Sequence, residues 1–315
     1  MNAQPIQAQS GCRLCGATSA RELYTAKDRL RNSDEAFSIA ECAGCGVLRT
    51  LPYMTESELA RFYPEDYWGG GSEPPQKWIA SSQSEKTRFL KKCNLAGGRL
   101  LDVGCGSGLF LRALDAERWD RSGVETGLVA AEAARRALGR DSIFNGALIE
   151  ARAHAKGITL SWATDLDRAF DVVTFWSALE HMNEPRENLI EARRIIKKGG
   201  TLIVQVPNAA SYQARFFGGG WFALDAPRHR YHFTPETLGR LLAETGFEIY
   251  RTTFFSKAHN SHALRQSLKA KLRGESAFPL SRALFYLSVP FIKPFDHLMT
   301  ALGEGATITA AARAI

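Results

Sequence analysis

Leu100 to Leu114 read LLDVGCGSGLFLRAL, and the fold turns on how that stretch is read. Leu100, Leu101 and Val103 suit a strand buried on both faces, as strands of parallel sheets are. Gly104, Gly106 and Gly108 follow at alternate positions, where a backbone that turns sharply against a ligand has no room for side chains. Leu109, Phe110, Leu111 and Leu114 then suit a helix packed back onto the sheet. The spacing G-x-G-x-G alone also serves dinucleotides and phosphates. Two details argue against those ligands. The loop lacks the Gly-Lys-Ser/Thr ending that cradles a nucleoside triphosphate. Asp102, just ahead of the first glycine, puts a carboxylate where it repels a pyrophosphate and suits a positively charged ligand such as a sulfonium or an ammonium.

Downstream, strand and helix alternate, which argues for a doubly wound α/β sheet. Arg121 to Glu125 reads as a second strand, ending at the helical pattern Leu128 to Leu138. An acidic residue about 20 residues beyond a glycine loop is the expected partner of ribose hydroxyls; the other reading of Glu125 is a charge that favours the helix dipole. A third strand and its loop are expected around Ser142 to Glu150, with Leu148 or Glu150 near an adenine, although Ala151 to Arg168 is longer than such a connection needs. Phe170 to Trp176, FDVVTFW, is a fourth strand, followed by Ser177-Ala178-Leu179-Glu180-His181-Met182 and a helix from Glu184 to Lys197. Lys197-Lys198-Gly199-Gly200 reads as a basic helix end with a glycine cap. Thr201 to Val206 makes a fifth strand, a helix opens at Thr234-Pro235-Glu236, Gly246-Phe247 starts a sixth strand, and Gly303 to Ala314 takes the position of a seventh.

DVGCGSG, FDVV, ALEHM and KKGGTLIVQVPN together resemble the motifs of class I S-adenosylmethionine-dependent methyltransferases, over about residues 100–255. The resemblance implies a Rossmann-like, seven-stranded sheet of order 3-2-1-4-5-7-6 with an antiparallel seventh strand. It implies S-adenosylmethionine held by Asp102, Gly104, Cys105, Gly106, Gly108 and Glu125, with Leu148, Trp176 and Ser177 beside it. The stretch WFALDAPRHRYHF, Trp221 to Phe233, is similar to a bacterial group of small-molecule and glycan methyltransferases that often carries a paired C-x-x-C module at the N-terminus.

This chain has such a pair. Cys12-Arg13-Leu14-Cys15-Gly16 and Cys42-Ala43-Gly44-Cys45-Gly46 have the spacing of two zinc knuckles, against the alternatives of an iron centre or four unrelated thiols. Four thiolates fill a tetrahedron, so a Zn2+ held by Cys12, Cys15, Cys42 and Cys45 would be structural. Residues 1–68 are expected to form a zinc-ribbon-like module, with a capping box at Thr55 and Glu58 and aromatic packing by Tyr63, Tyr67 and Trp68. The glycine- and proline-rich stretch at 69–77 reads as a linker, a helix is expected from Trp78 to Cys93, and 78–315 is the methyltransferase domain.

In the chain of 315 residues with net charge +7, no basic segment followed by an apolar run marks a signal peptide, and no apolar stretch reaches transmembrane length. A cytoplasmic protein is expected. Residues 256–302 form a helical insertion before the last strand. Leu264, Leu268 and Leu272 share a helix face flanked by Arg265, Lys269, Lys271 and Arg273, and Phe278 to Leu302 is apolar. Such a segment serves peripheral contact with the inner membrane face through 261–302, a lipid-linked substrate, a homodimer surface, or a cap on the core.

Methyl transfer from a sulfonium is an in-line displacement, so alignment supplies much of the rate, with a base added where the nucleophile is a hydroxyl or an acidic carbon. Ligands of open α/β sheets lie beyond the carboxyl ends of the strands. The loops there carry His181 on one side and Arg228, His229, Tyr231 and His232 on the other. His181 and His229 are base candidates, the alternatives being a helix cap and a loop brace; Arg228, Tyr231 and His232 are candidate substrate contacts. The expected function is methyl transfer to a small molecule, a sugar nucleotide or a lipid-linked glycan. RNA methylation is an alternative, countered by the offset of Arg13, Arg21, Lys27, Arg29, Arg31 and Arg49 by Glu22, Asp28, Asp34, Glu35 and Glu41. A non-catalytic scaffold is the other, and the intact glycine motif argues against it.

Overall fold

The computed structural model describes residues 5–7, 11–30, 34–63, 74–150, 168–256, 260–274 and 294–315. The expectations for Tyr67, Trp68, most of the linker, Ala151 to Asp167 and the middle of the insertion lie outside them. The N-terminal part comprises β1 (Pro5–Gln7), β2 (Ser19–Lys27), β3 (Ala36–Cys42), β4 (Leu48–Leu51) and α1 (Glu56–Ala60). Thr55 caps α1 as its sequence predicts: the Glu58 carboxylate accepts from the Thr55 N–H at 2.8 Å, and Thr55 Oγ1 accepts from the Glu58 N–H.

Next come α2 (Gln76–Ser82), α3 (Ser84–Lys92), β5 (Gly98–Val103), α4 (Leu109–Ala113), β6 (Trp119–Glu125), α5 (Leu128–Leu138), β7 (Ile143–Asn145) and β8 (Phe170–Trp176). The helix expected from Trp78 to Cys93 is broken in two at Gln83, next to Ser82, whose hydroxyl bonds back to the Ile79 carbonyl at 2.9 Å; such serine bonds compete with the helical ladder. The remaining elements are α6 (Pro185–Ile195), β9 (Ile196–Pro207), α7 (Tyr212–Phe217), β10 (Tyr231–His232), α8 (Pro235–Glu244), β11 (Phe247–Thr253), α9 (Asn260–Gly274), a helix at 294–301, and β12 (Thr307–Ala314).

The large sheet runs β11-β12-β9-β8-β5-β6-β7. Counting its strands along the chain, this is the order 3-2-1-4-5-7-6 read from the other edge, with β12 antiparallel to both neighbours and the other four pairs parallel. Its central strands bury both faces over most of their length, as continuous apolar runs require, whereas the edge strand β11 is largely exposed. Two apolar layers result, one around Phe170, Phe175 and Val204, the other around Leu100, Phe110 and Ile203.

One junction differs from its sequence reading. α6 ends at Ile195, and β9 starts at once. The pairing to β8 jumps from Phe170↔Ile196 to Val172↔Thr201, so Lys197 to Gly200 form a bulge and not a glycine-capped helix end. Lys197 Nζ sits 2.7 Å from Asp171 Oδ1 across it, and Gly199 has φ 76°.

The N-terminal sheet runs β1-β2-β3-β4-β10. Its fifth strand comes from residues beyond the fifth strand of the large sheet: Tyr231 pairs with Arg49 and His232 with Leu48. Cys12, Leu14, Cys42 and Val47 also belong to the apolar layer that holds Val103 and Phe175. The helical insertion begins as a cap: Ala263 and Leu264 are buried, and Ser267 Oγ accepts from the Phe222 N–H at 2.8 Å. Among the described residues no helix is long and apolar enough to cross a membrane.

Candidate active site

Gly104, Gly106 and Gly108 all take the left-handed backbone conformation, with φ 73°, 56° and 76°. At Gly104 a Cβ would stand 2.6 Å from the Ala178 Cβ, so the loops after β5 and β8 touch only because this residue has no side chain. At Gly106 nothing lies within 4 Å of that position. This open side is the cradle a ligand requires. The Glu125 carboxylate bridges the loop and the next helix, accepting from the Gly106 N–H at 2.8 Å and the Gly127 N–H at 2.7 Å. Burial pushes its pKa up, opposed by those N–H groups.

Asp102 is buried and accepts from Thr174 Oγ1 at 2.7 Å. Burial pushes its pKa up to about 7, against the pull of Lys86 and Thr174. Lys86, on α3, went unread in the sequence. Its ammonium lies over the rings of Trp176 and Phe110, 5.4 and 5.7 Å from their centroids, and burial lowers its pKa while Asp102 and Glu85 raise it. Trp176 is buried with Nε1 lacking a hydrogen-bond partner. Ser177 has φ 53°, held by its N–H to the Gln205 carbonyl at 2.9 Å. Cys105 and Leu148 are buried, the Cys105 thiol packing against Gly123 and its pKa pushed up by burial. These residues fit a cationic nucleoside ligand: an open glycine cradle, two buried carboxylates and an aromatic wall.

The four cysteines of the knuckles come together. Cys12 Sγ is 3.8 Å from Cys45 Sγ, and Cys15 Sγ is 3.5 Å from Cys42 Sγ; all four sulfurs lie within 4.8 Å of one another. A hydrogen bond from Cys45 brings the Cys12 thiol down to about 5. Each knuckle is closed by a glycine N–H, Gly16 to the Cys12 carbonyl at 2.6 Å and Gly46 to the Cys42 carbonyl at 2.9 Å. The methyltransferase-like part grips both knuckles: Arg186 Nε donates to the Leu14 carbonyl at 3.1 Å, Arg240 to the Cys45 carbonyl at 3.2 Å, and Glu184 pairs with Arg13.

His181 and His229, far apart in sequence, meet edge to face with ring centroids 4.5 Å apart. Nδ1 of His181 lies 3.1 Å from the Arg228 carbonyl and 3.3 Å from the Tyr63 hydroxyl; Nδ1 of His229 lies 2.9 Å from the Ala223 carbonyl. A carbonyl only accepts, so both rings carry their proton on Nδ1 and keep a lone pair on Nε2. Burial lowers the two pKa values to about 3 and about 4, with like-charge repulsion between histidines adding to it. Asp225 Oδ2 and Glu180 Oε1 stand 3.9 and 4.0 Å from His229 Nε2. Burial pushes Asp225 up, but His229 and Arg228 more than offset it and hold it below the usual carboxylate range. Neither acid was singled out by sequence reasoning, although Glu180 adjoins His181 in the quoted motif.

Arg228, expected at the substrate, is instead a brace. Its guanidinium is fully buried and bonds Asp225 at 2.6 and 3.1 Å, Asp28 at 2.8 Å and the Phe62 carbonyl at 2.8 Å. Tyr231 and His232 are likewise committed to the N-terminal sheet. The Tyr231 hydroxyl donates to the Asn183 carbonyl at 3.3 Å, and His232 Nε2 lies 2.9 Å from Thr50 Oγ1. The same hydroxyl of Thr50 donates to the His229 carbonyl at 2.6 Å. These three residues were placed at the substrate because their loop lies beyond the strand ends; what removes them is the N-terminal sheet packed on that loop. A cavity lined by Gly98, Arg99, Arg118, Asp120 and Asp171 opens at the opposite, amino-terminal ends of β5 and β8, away from where ligands of such sheets bind.

A family model described as a methyltransferase domain matches residues 77–252, more than half of the chain. The chain is 27% identical over 149 residues to the mitochondrial ubiquinone biosynthesis O-methyltransferase of Schizosaccharomyces pombe, covering 47% of this chain and 52% of that protein. It thus spans about half the length of that relative. It is 26% identical over 166 residues to the ubiquinone biosynthesis O-methyltransferase of Pseudomonas aeruginosa (strain UCBPP-PA14), covering 50% and 68% of the two chains. Among solved structures, an S-adenosylmethionine-dependent methyltransferase from Archaeoglobus fulgidus superposes with a TM-score of 0.48 at 18% identity, over 82% of this chain and all of that one (100%).

Proposed function

Since the chain belongs to the methyltransferase-domain family and is an S-adenosylmethionine-dependent methyltransferase, we propose that it methylates a hydroxyl oxygen of a small molecule, held between the glycine loop and the His181–His229 pair. The observation that carries this reading is the pair itself: two neutral imidazoles at the carboxyl end of the sheet, both keeping a lone pair on Nε2. The relatives named O-methyltransferases support oxygen as the acceptor atom. A sugar nucleotide or lipid-linked glycan is an acceptor of the same hydroxyl chemistry.

S-adenosylmethionine, when bound, supplies a methyl group on a positively charged sulfur. In this reading the backbone at Gly104 to Gly108 receives it on the open side of Gly106, Glu125 holds the loop and contacts the ribose, and Asp102 offsets its positive charge. Trp176 walls the pocket, with Ser177, Cys105 and Leu148 lining it. His229 takes the proton of the acceptor hydroxyl on Nε2, and Asp225, 3.9 Å away, stabilises the imidazolium that forms. His181 holds the acceptor oxygen in line. Cys12, Cys15, Cys42 and Cys45 hold a structural Zn2+, which keeps the N-terminal sheet rigid behind Arg228.

The test is to incubate the zinc-loaded protein with methyl-labelled S-adenosylmethionine and panels of hydroxyaromatic compounds, sugar nucleotides and lipid-linked glycans. Label should appear as a methyl ether, and His229→Ala should abolish it while calorimetry shows unchanged donor affinity. Label on nitrogen or carbon, or full turnover in His229→Ala, overturns the assignment.

A further inference from the structure

Glu180 poses a problem that methyl transfer by a base does not solve. Its carboxylate is fully buried at 0% exposure, and among the described residues neither Oε1 nor Oε2 has a hydrogen-bond partner. A carboxylate enters a protein interior with donors or with a cation, because desolvating it alone costs many kcal/mol. The backbone around it is fully used: the Glu180 carbonyl accepts from the Arg230 N–H at 2.8 Å, and the His181 N–H donates to the Ala178 carbonyl at 3.1 Å. What faces the side chain is imidazole. One ligand atom each from Glu180, His181 and His229 lies within 4.8 Å of the others, and Oε1 is 4.0 Å from His229 Nε2.

The histidines are set as metal-binding histidines are. Each donates its Nδ1–H to a backbone carbonyl, Arg228 and Ala223 respectively, which locks the ring and keeps the lone pair on Nε2. The carbonyls belong to the loop that Arg228 braces against Asp225, Asp28 and Phe62, so the second ring nitrogen is held by buried structure. Asp225 Oδ2, 3.9 Å from His229 Nε2, stands ready as a further oxygen at the edge of the cluster.

We propose that Glu180, His181 and His229 bind a divalent first-row transition ion, and that this ion engages the acceptor oxygen. The proposal rests on the reading of the histidine cleft as the acceptor site and replaces His229 as base, because a lone pair given to an ion cannot take a proton. Two imidazole nitrogens and one carboxylate form a donor set that suits Zn2+, Mn2+ or Fe2+, whereas Mg2+ and Ca2+ prefer oxygen alone. Ligand bonds of about 2.1 Å would draw the three donors together by roughly 1 Å, within reach of side-chain rotation. An ion there lowers the pKa of a hydroxyl bound to it. The hydroxyl gives its proton to water, its oxygen forms the new bond to the methyl carbon, and the carbon–sulfur bond breaks with its electron pair left on sulfur. Depressed imidazole basicity, which handicaps a general base, does not handicap a ligand.

Cobalt tests this in the full-length, zinc-loaded protein. Titration with Co2+ should bind one equivalent beyond the cysteine site, with the weak visible bands of nitrogen and oxygen ligation and no intense sulfur-to-cobalt charge transfer. Glu180→Gln should weaken that binding by more than about tenfold while donor affinity is retained. Because the amide has no charge to desolvate, this variant is expected to fold at least as stably as the ion-free parent, checked by thermal unfolding. Chelation of the second ion should stop turnover, and Co2+ or Mn2+ should restore it. Absence of a second equivalent in protein that binds S-adenosylmethionine overturns the proposal, as does unchanged binding by Glu180→Gln. If no ion binds yet His229→Ala is inactive, the ion is rejected and the histidine base stands. If an ion binds at Glu180 and no hydroxyl is methylated, the site stands and the acceptor reading falls.

Discussion

The glycine loop after β5 and the histidine pair after β8 meet at one end of the sheet, where Gly104 leaves room for Ala178, yet they are assembled in opposite ways. The loop, Asp102 and Glu125 belong to one strand–helix–strand unit, and the bonds that hold the loop are short-range in sequence, Gly106 to Glu125 and Gly127 to Glu125, while Asp102 also reaches Thr174 on β8. The histidine pair draws on three distant segments. His181 follows β8, His229 follows α7, and Asp28, Thr50 and Phe62 reach in from the N-terminal part to hold the loop that carries His229. A loop built locally depends little on segments elsewhere. A cleft braced from outside depends on what the N-terminal part presents.

The largest effect expected from breaking that contrast is at Arg228. Arg228→Met removes the cation from between Asp225 and Asp28 inside the protein, and should cost about 3–5 kcal/mol of stability, read by denaturant unfolding. Loss below about 1 kcal/mol would mean the brace is not needed.

Next comes His229→Ala. Turnover should fall by about 10²–10⁴-fold, with the dissociation constant of S-adenosylmethionine unchanged in calorimetry. If both move together, the two ends are not separable. On the donor side, Gly104→Ala and Gly106→Ala both put a side chain at a left-handed position, at roughly 1–2 kcal/mol each. Only the first also collides with Ala178. Gly104→Ala should therefore weaken donor binding about tenfold more than Gly106→Ala, and equal losses would show that the loop contact is unimportant.

A further effect, read as a slope and not as a loss of binding or turnover, is in the pH dependence of stability. Burial raises Glu180 to about 8 in the folded protein, with Asp225 adding to it, against roughly 4.3 unfolded. The folded state then binds the proton more tightly, so this group makes ion-free protein lose stability as pH rises from about 4 to about 8. Glu180→Gln should remove that slope, leaving the similar, shorter one from Asp102. His181, His229 and His232, lowered by burial to about 3, 4 and 3, act in the other direction, and stability should fall as pH drops below about 6.5. Parallel curves for parent and Glu180→Gln in the absence of metal would refute the buried charge.

Much of the molecule was legible before the structure. The order of the seven strands was what the resemblance to class I methyltransferases implied, carried by motifs that each sit within one βα unit, and the cysteine knuckles were legible from spacing that brings four sulfurs within 4.8 Å of one another. His181 and His229 were legible as residues beyond strand ends. Their partners were not, because Glu180 and Asp225 look like ordinary charges of loops and helix ends until burial removes water from them, and Arg228 read as a substrate contact. The pairing of β10 with β4 was hidden for the same kind of reason: Tyr231-His232 is too short to show alternation, and its partner lies far away in the chain.

The sequence by itself therefore determined the glycine turn, the acidic strand end and the following acid, since these act over distances that one loop can span. Tertiary structure alone decided the surroundings of the histidine pair. Whether Arg228 meets a substrate or a pair of aspartates depends on what packs over it, and whether Glu180 is a surface charge or a cation ligand depends on how completely its neighbours exclude water.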